Sequence, residues 1–266
     1  MHDYWKRQEP GKPLYPDIEW SKPEQRSARG RLGIIGGNKL GFAGVAESYK
    51  TALETGAGEV RVLLPDVLRR TVPVTMTDVV FGASNPSGGL AQDALDEMRA
   101  LGMWSSCVLL IGDAGRNSET AIAYETFTRE YQGQLVISRD TFDLIRSNAA
   151  ALVGRPSTTL VLSFAQLQKL FREVYYPKVL VFSMQLLQLV EAVHKFTITY
   201  PVTLVVLHKD TLVIAHDGQV ATTAWEHPMA IWRGTTATQA ACYQMWTPTL
   251  PLEAIAASVA TNSSRT

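Results

Sequence analysis

The sequence predicts an α/β protein built on a mostly parallel central sheet with helices on both faces. Three observations carry this. From Arg31 onward, short apolar runs alternate with longer amphipathic ones, the pattern of successive βα units. Hydrophobic residues make up 46% of the 266 positions and charged residues 19%, enough apolar surface to offset the chain entropy of folding. About eight strand-like runs follow one another with few long linkers, which favours one domain over residues 31–266 rather than two.

Residues 1–30 stand apart from that pattern. Pro10, Pro13, Pro16 and Pro23 interrupt any helix, and charges alternate with Tyr4, Trp5, Tyr15 and Trp20. Such a segment cannot build a core alone and reads as an ordered arm, clamped by its aromatics onto the body or onto a neighbouring subunit. Leu32–Gly36 reads as a buried strand, followed by a helix over Ala43–Glu54. Val60–Leu64 and Asp78–Phe81 are the next strands, and Leu95, Met98 and Leu101 share one face of a helix over Leu90–Leu101. Cys107–Ile111 is a strand, Glu119–Tyr131 a helix and Leu135–Ser138 another strand. Thr158–Leu162 is a strand, with helices expected over Ala165–Phe171 and Val179–Lys195. Val202–Leu207 and Thr211–Ala215 are strands, and Asp217-Gly218 is a hairpin signal leading into Gln219-Val220. Thr235–Met245 and the Ala-rich Leu252–Ala260 complete the helices.

Composition also excludes function classes. With 25 Lys+Arg against 25 Asp+Glu, nothing general draws the chain to nucleic acid. No apolar stretch of about 18 residues occurs, so no membrane span is expected. The charged first ten residues do not read as a signal peptide, and a reducing cytoplasm is the expected compartment. Cys107 and Cys242 lie in apolar surroundings and read as buried free thiols, and no zinc spacing is present.

Three segments are candidates for chemistry. Gly33-Ile-Ile-Gly36-Gly37-Asn38-Lys39-Leu40-Gly41 ends a strand before a helix, where glycines let backbone N–H groups approach a ligand or simply form a tight turn. It matches neither the dinucleotide fingerprint nor the Walker phosphate loop. Asp140 ends a strand, at the sheet edge that hosts ligands in open α/β folds; a helix N-cap is its rival role. Gly234-Thr235-Thr236-Ala237-Thr238 opens a helix whose unpaired N–H groups suit a phosphate. No Asp, Glu or His follows before Met245, so that stretch lacks a general base. His194, His208, His216 and His227 share no metal-ligand spacing and read as surface or capping residues, and Gly-x-Ser-x-Gly is absent.

Arg29-Gly-Arg-Leu-Gly-Ile-Ile-Gly36-Gly37, followed by Thr51-Ala-Leu-Glu-Thr-Gly56-Ala57-Gly58-Glu-Val-Arg-Val-Leu-Leu-Pro65, resembles the ADP/ATP-dependent NAD(P)H-hydrate dehydratases. The resemblance runs from about Ser27 to Ala260 and implies a ribokinase-like fold, three layers α/β/α. It implies a repair reaction, in which a nucleotide phosphorylates the C6 hydroxyl of hydrated NADH or NADPH and phosphate then leaves. ADP or ATP, with Mg accompanying it, would be the cofactor, and a homo-oligomer, often a tetramer, the assembly. The family's Gly-Thr-Gly-Asp motif falls on Gly234-Thr235-Thr236-Ala237, so the expected catalytic Asp is Ala237. Loss of such a base costs about 100-fold to 10,000-fold in rate. Thr-Pro-His-x-Gly-Glu falls near Val161–Gln166, where neither His nor Glu remains, and a one-residue gap places Lys209 on the family lysine beside Thr211. Gly-Pro-Gly-Leu-Gly is shortened to Gly112-Asp113-Ala114-Gly115-Arg116, and Asp-Ala-Asp-Ala-Leu becomes Ser138-Arg139-Asp140-Thr141-Phe142.

The resemblance therefore implies nucleotide contacts from Lys209, Thr211, Gly234, Thr235 and Thr236, and substrate contacts from Gly37, Asn38, Gly44 and Gly112. Three readings follow. One is a degenerate member that still binds a nucleotide or an NAD(P)H-type molecule, or acts as an assembly partner, without turnover. Another is an active dehydratase with Asp113 or Asp140 as a displaced base. A third is a small-molecule kinase of the same fold, which also needs a base.

Overall fold

The computed structural model describes residues 3–9 and 12–260; Pro10 and the final six residues of the expected 31–266 domain lie outside the described residues. In chain order the first half comprises β1 (Trp5–Gln8), β2 (Arg31–Gly36), α1 (Ala43–Thr55), β3 (Glu59–Pro65), β4 (Val79–Gly82), α2 (Leu95–Trp104), β5 (Cys107–Gly112) and α3 (Ser118–Glu130). Then come β6 (Gln134–Ser138), α4 (Asp140–Leu144), α5 (Ala149–Gly154), β7 (Thr158–Ser163), α6 (Phe164–Glu173) and α7 (Leu186–Thr199). The last part is β8 (Thr203–His208), β9 (Thr211–His216), β10 (Gln219–Ala224), α8 (Pro228–Arg233), α9 (Thr235–Trp246) and α10 (Pro251–Ala260).

One ten-stranded sheet has the order β1-β10-β9-β8-β7-β6-β5-β2-β3-β4. From β4 across to β8 all pairings are parallel; β9 is antiparallel to both β8 and β10, and β1 joins β10 in parallel. Alternate residues of a central strand enter different cores. Val108 and Leu110 pack with Met98, Tyr124, Phe127, Leu167 and Phe196 on one face. Cys107, Leu109 and Ile111 pack with Val45, Ala52, Ala240 and Ile255 on the other. Both faces of β5 are thus dry, which is why its sequence is a continuous apolar run instead of an alternating one. Both cysteines are buried free thiols; burial pushes Cys242 up to about 12, so neither is a poised nucleophile.

Several sequence expectations shift. The helix expected from Val179 starts only at Leu186, where Gln185 and Gln188 form a reciprocal cap. The one expected from Leu90 is a 3-10 turn over Gln92–Ala94 leading into α2. β10 runs to Ala224, not Val220, because it pairs with β9 as far as Thr211 and with β1 over Val220–Thr223. Within the arm, Trp5 Nε1 donates to Thr222 Oγ1 at 2.9 Å, and Ile18 packs against Tyr243, Ala254 and Ala257. Asp217 (φ 44°) and Gly218 (φ 71°) form the hairpin turn, both with the positive φ that a two-residue connection requires. His208 is no surface residue: it is buried between the Phe164 and Phe182 rings, with Nε2 3.1 Å from the Met184 carbonyl. Among the described residues no helix is long and apolar enough to cross a membrane.

Candidate functional site

The strand order reverses between β2 and β5, since β2 leads outward to β3 and β4 while β5 leads the other way to β6, β7 and β8. At such a switch point the connections leave in opposite directions and a crevice opens beyond the carboxyl ends of the strands. Here it is a cleft of about 910 Å³, lined among others by Asn38, Gly41, Asp113, Asp140 and Asp143. A register irregularity at Ile35/Gly36 turns β2 toward β5, so that Gly37 N–H donates to the Gly112 carbonyl at 2.9 Å. A Cβ on Gly36 would overlap that carbonyl and lie 2.9 Å from Val45 Cγ2, so only glycine permits the approach.

The charges on the cleft floor are bound to one another. Asp140 accepts the N–H groups of Asp113 (2.9 Å) and Ala114 (3.3 Å), holding the loop after β5. Asp113 accepts from the Gly44 N–H in the first turn of α1 at 2.6 Å and from Arg139 Nη2 at 2.6 Å. The Asp113–Arg139 pair is mostly withdrawn from solvent, at 19% and 20% side-chain exposure. Asn38 Nδ2 donates to the Asp113 carbonyl at 2.5 Å. Arg139 adopts φ 57°, ψ −143° and Asp113 φ 54°, conformations costly for residues with a Cβ and held only by surrounding contacts. One such contact is Gln166 Nε2, which donates to the Arg139 carbonyl at 2.7 Å and to Asp143 at 2.8 Å. Beneath this network Tyr124 is fully buried; burial first, then the charges of Asp140 and Asp113, push its phenol far up, and its hydroxyl has no partner among the described residues.

The second expected region is the start of α9. Gly234 (φ 94°) ends α8 and opens α9 in one step, and a Cβ there would lie 2.6 Å from Ile111 Cδ1 and 3.2 Å from Ser48 Oγ. Gly44 and Ser48 are one turn apart on α1, so the same helix touches both regions. Thr236 and Ala237 are fully buried, and among the described residues Thr236 Oγ1 and Ser48 Oγ have no hydrogen-bond partner. A pocket of about 320 Å³ opens beside Thr235, lined by Glu47, Glu226, His227 and Arg233 among others. Lys209 (φ 55°) forms the β8–β9 turn and borders a separate apolar pocket of about 300 Å³ with Phe182, Ile231 and Trp232. Thr211 Oγ1 donates to Asp210 at 3.2 Å and lines neither pocket.

Gly37, Asn38, Gly44, Gly112, Asp113 and Asp140 are therefore brought together, Gly234–Ala237 lie one α1 turn away, and Lys209 and Thr211 stand apart. Sequence reasoning missed Arg139, Glu47 and the cationic residues of the cleft, Arg116, Arg146 and Lys169. Glu47 was accessible from its i+3 spacing to Gly44 on the predicted helix. Among the described residues no group of three or more His, Cys, Asp or Glu could hold a metal ion. Of the hydroxyls at the α9 start only that of Thr235 lines the pocket, whose wall also carries Glu47, Glu226 and Arg233; Thr236 and Ser48 are buried behind it.

No family model matches the chain, and no curated protein matches it. Solved structures do. A ribokinase-like superfamily protein of Enterococcus faecalis superimposes with TM-score 0.70 at 14% identity, over 98% of this chain and 88% of that one. A hypothetical protein of Streptococcus mutans gives 0.67 at 14% identity over 93% and 86%. An ADP/ATP-dependent NAD(P)H-hydrate dehydratase of Bacillus subtilis, co-crystallized with ATP/Mg2+ and soaked with CoA, gives 0.64 at 13% identity over 95% and 87%. At these identities the likeness concerns architecture alone: the chain has the ribokinase-like fold.

Proposed function

We propose that this chain is a degenerate relative of the NAD(P)H-hydrate dehydratases that binds a nucleotide at the α9 start or an NAD(P)H-type ligand at the switch-point cleft, without the family's turnover. One observation carries the reading: at the start of α9 the side chain of Ala237 is 0% exposed and no residue of α9 is charged, so no acid of that helix can take a proton. Asp113 and Asp140, the substitutes that the sequence suggests, spend their carboxylates on Arg139, Gly44 and the loop after β5. ADP or ATP, carrying its own Mg2+, would approach the α9 start beside Thr235, where the N–H groups of the helix's first turn favour an anionic group. The reading includes a single domain over 31–266, a cytoplasmic location and a homo-oligomer, which light scattering would test.

A second reading, retained activity with a displaced base, is favoured by Glu47, half-buried and lining the pocket beside Thr235. The experiment is titration with ADP, ATP, NADH and NADPH by thermal shift, paired with an assay on hydrated NADPH. Ligand at about 100 Kd raises stability by roughly 2.7 kcal/mol. A shift without turnover supports the first reading. Turnover abolished by Glu47→Gln establishes the second, and no shift with any of the four removes the first.

A further inference from the structure

The cleft is bipolar. Its floor carries half-buried carboxylates, Asp140 and Asp143, while its exposed rim carries Arg116 and Arg146. The floor repels an anion, yet its oxygens can still accept hydrogen bonds. Asp140 receives only backbone N–H groups, and each carboxylate oxygen has a further lone pair. Asp143 is neutralised by Lys169 Nζ at 2.5 Å. The rim is the reverse. Among the described residues Arg116 forms no ion pair or hydrogen bond with another side chain, and Arg146 reaches only Glu173, at 3.7 Å with both groups about half exposed. A contact of that length and exposure contributes little and leaves the guanidinium fork open. Ser118, the first residue of α3, lines the same mouth, but Asn117 Oδ1 already accepts the N–H groups of Glu119 and Thr120, so the two arginines are the open cationic groups of the rim.

We propose that Arg116 and Arg146 bind the phosphate of a sugar-phosphate ligand whose hydroxyl-bearing body faces Asp140 and Asp143. This rests on the reading of the cleft as the ligand site and specifies which part of the ligand the rim holds. A volume of about 910 Å³ admits far more than a phosphate ion, and the polarity sets the ligand's direction, with hydroxyls inward and phosphate outward. Ribose phosphate within a dinucleotide and a free sugar phosphate share this chemistry.

The test is calorimetric titration of the full chain with ribose 5-phosphate, ribose, inorganic phosphate and NADPH, repeated on Arg116→Gln/Arg146→Gln. Both substitutions lie on the exposed rim, so the melting temperature should hold, which certifies folding. Expected is binding of ribose 5-phosphate, NADPH or both, no binding of ribose, and at least about tenfold weakening in the double variant, with affinity falling as salt rises. Binding confined to NADPH identifies the dinucleotide as the source, and binding confined to ribose 5-phosphate the free sugar phosphate. The proposal is overturned if neither phosphorylated probe binds, if the double variant binds as tightly as the parent, or if ribose or inorganic phosphate binds as well as ribose 5-phosphate. Turnover of hydrated NADPH by the parent would remove the degenerate reading and leave the rim intact. An unchanged Kd in the double variant would remove the rim and leave that reading intact.

Discussion

Two regions one helical turn apart on α1 have been filled in opposite ways. At Gly44 the chain supplies its own charges: Asp113 takes the helix N–H and Arg139 closes over it. At Ser48 it supplies none: Gly234 presses against the helix, and the hydroxyls of Ser48 and Thr236 are buried without partners. A self-paired network contributes to folding whether or not a ligand arrives. Orphaned hydroxyls cost free energy in its absence. The contrast assigns stability to the first region and an uncompensated desolvation cost to the second.

The largest effect should come from the hinge between β2 and β5 that creates the first region. Gly36→Ala places a methyl against the Gly112 backbone carbonyl, which has no flexible end to yield. A loss of about 3 kcal/mol in denaturant unfolding is expected. A loss below about 1 kcal/mol would mean that the strands can part freely and that the network is not anchored there. Asp140→Ala comes next, at about 2–3 kcal/mol, because the N–H groups of Asp113 and Ala114 both lose a charged acceptor. Asp140→Asn, which keeps one acceptor oxygen, should lose about half as much; equal losses would reduce Asp140 to a space filler.

Arg139 separates strain from pairing. Arg139→Ala removes the guanidinium but keeps a Cβ at φ 57°, ψ −143°, whereas Arg139→Gly removes both. In ordinary backbone glycine is less stable than alanine by roughly 0.5–1 kcal/mol. Here the order should invert, with Arg139→Gly more stable than Arg139→Ala by about 1–2 kcal/mol. The usual order in thermal melts would show that the backbone at 139 relaxes once its side chain is gone.

Legibility in the sequence divides along the same physical line. β5 and the Leu204–Val206 stretch of β8 could be read because both faces are dry and these residues are all apolar. β1 could not: it is an edge strand whose Lys6 and Arg7 point to water, and its pairing with β10 spans the whole chain. α8 was hidden because it is six residues long and opens on a proline. Asp140 was found through its place at a strand end, and Asp113 through the resemblance alone. Arg139 was not, since its role depends on a positive φ that no residue type announces, and arginine is a poor candidate for it. Arg116, Arg146 and Lys169 come from three separate segments and meet only through the tertiary fold.

The smallest change bears most directly on the second region. Thr236→Val replaces the buried Oγ1 with a methyl of nearly the same size, and that oxygen has no partner to lose. Removing it should leave stability unchanged or raise it by up to about 1 kcal/mol. The matching control is Thr120→Val beside the cleft. Thr120 Oγ1 donates to the Leu90 carbonyl at 2.8 Å and accepts from Asn85 Nδ2 at 2.8 Å, so about 1–2 kcal/mol should be lost. If Thr236→Val destabilises as much as Thr120→Val, the α9 start is satisfied in the free protein and the contrast collapses. If it is neutral alone but diminishes the thermal shift given by ADP or ATP, the orphaned hydroxyl is a ligand contact, and its cost without ligand is the mark of a binding site that outlived its base.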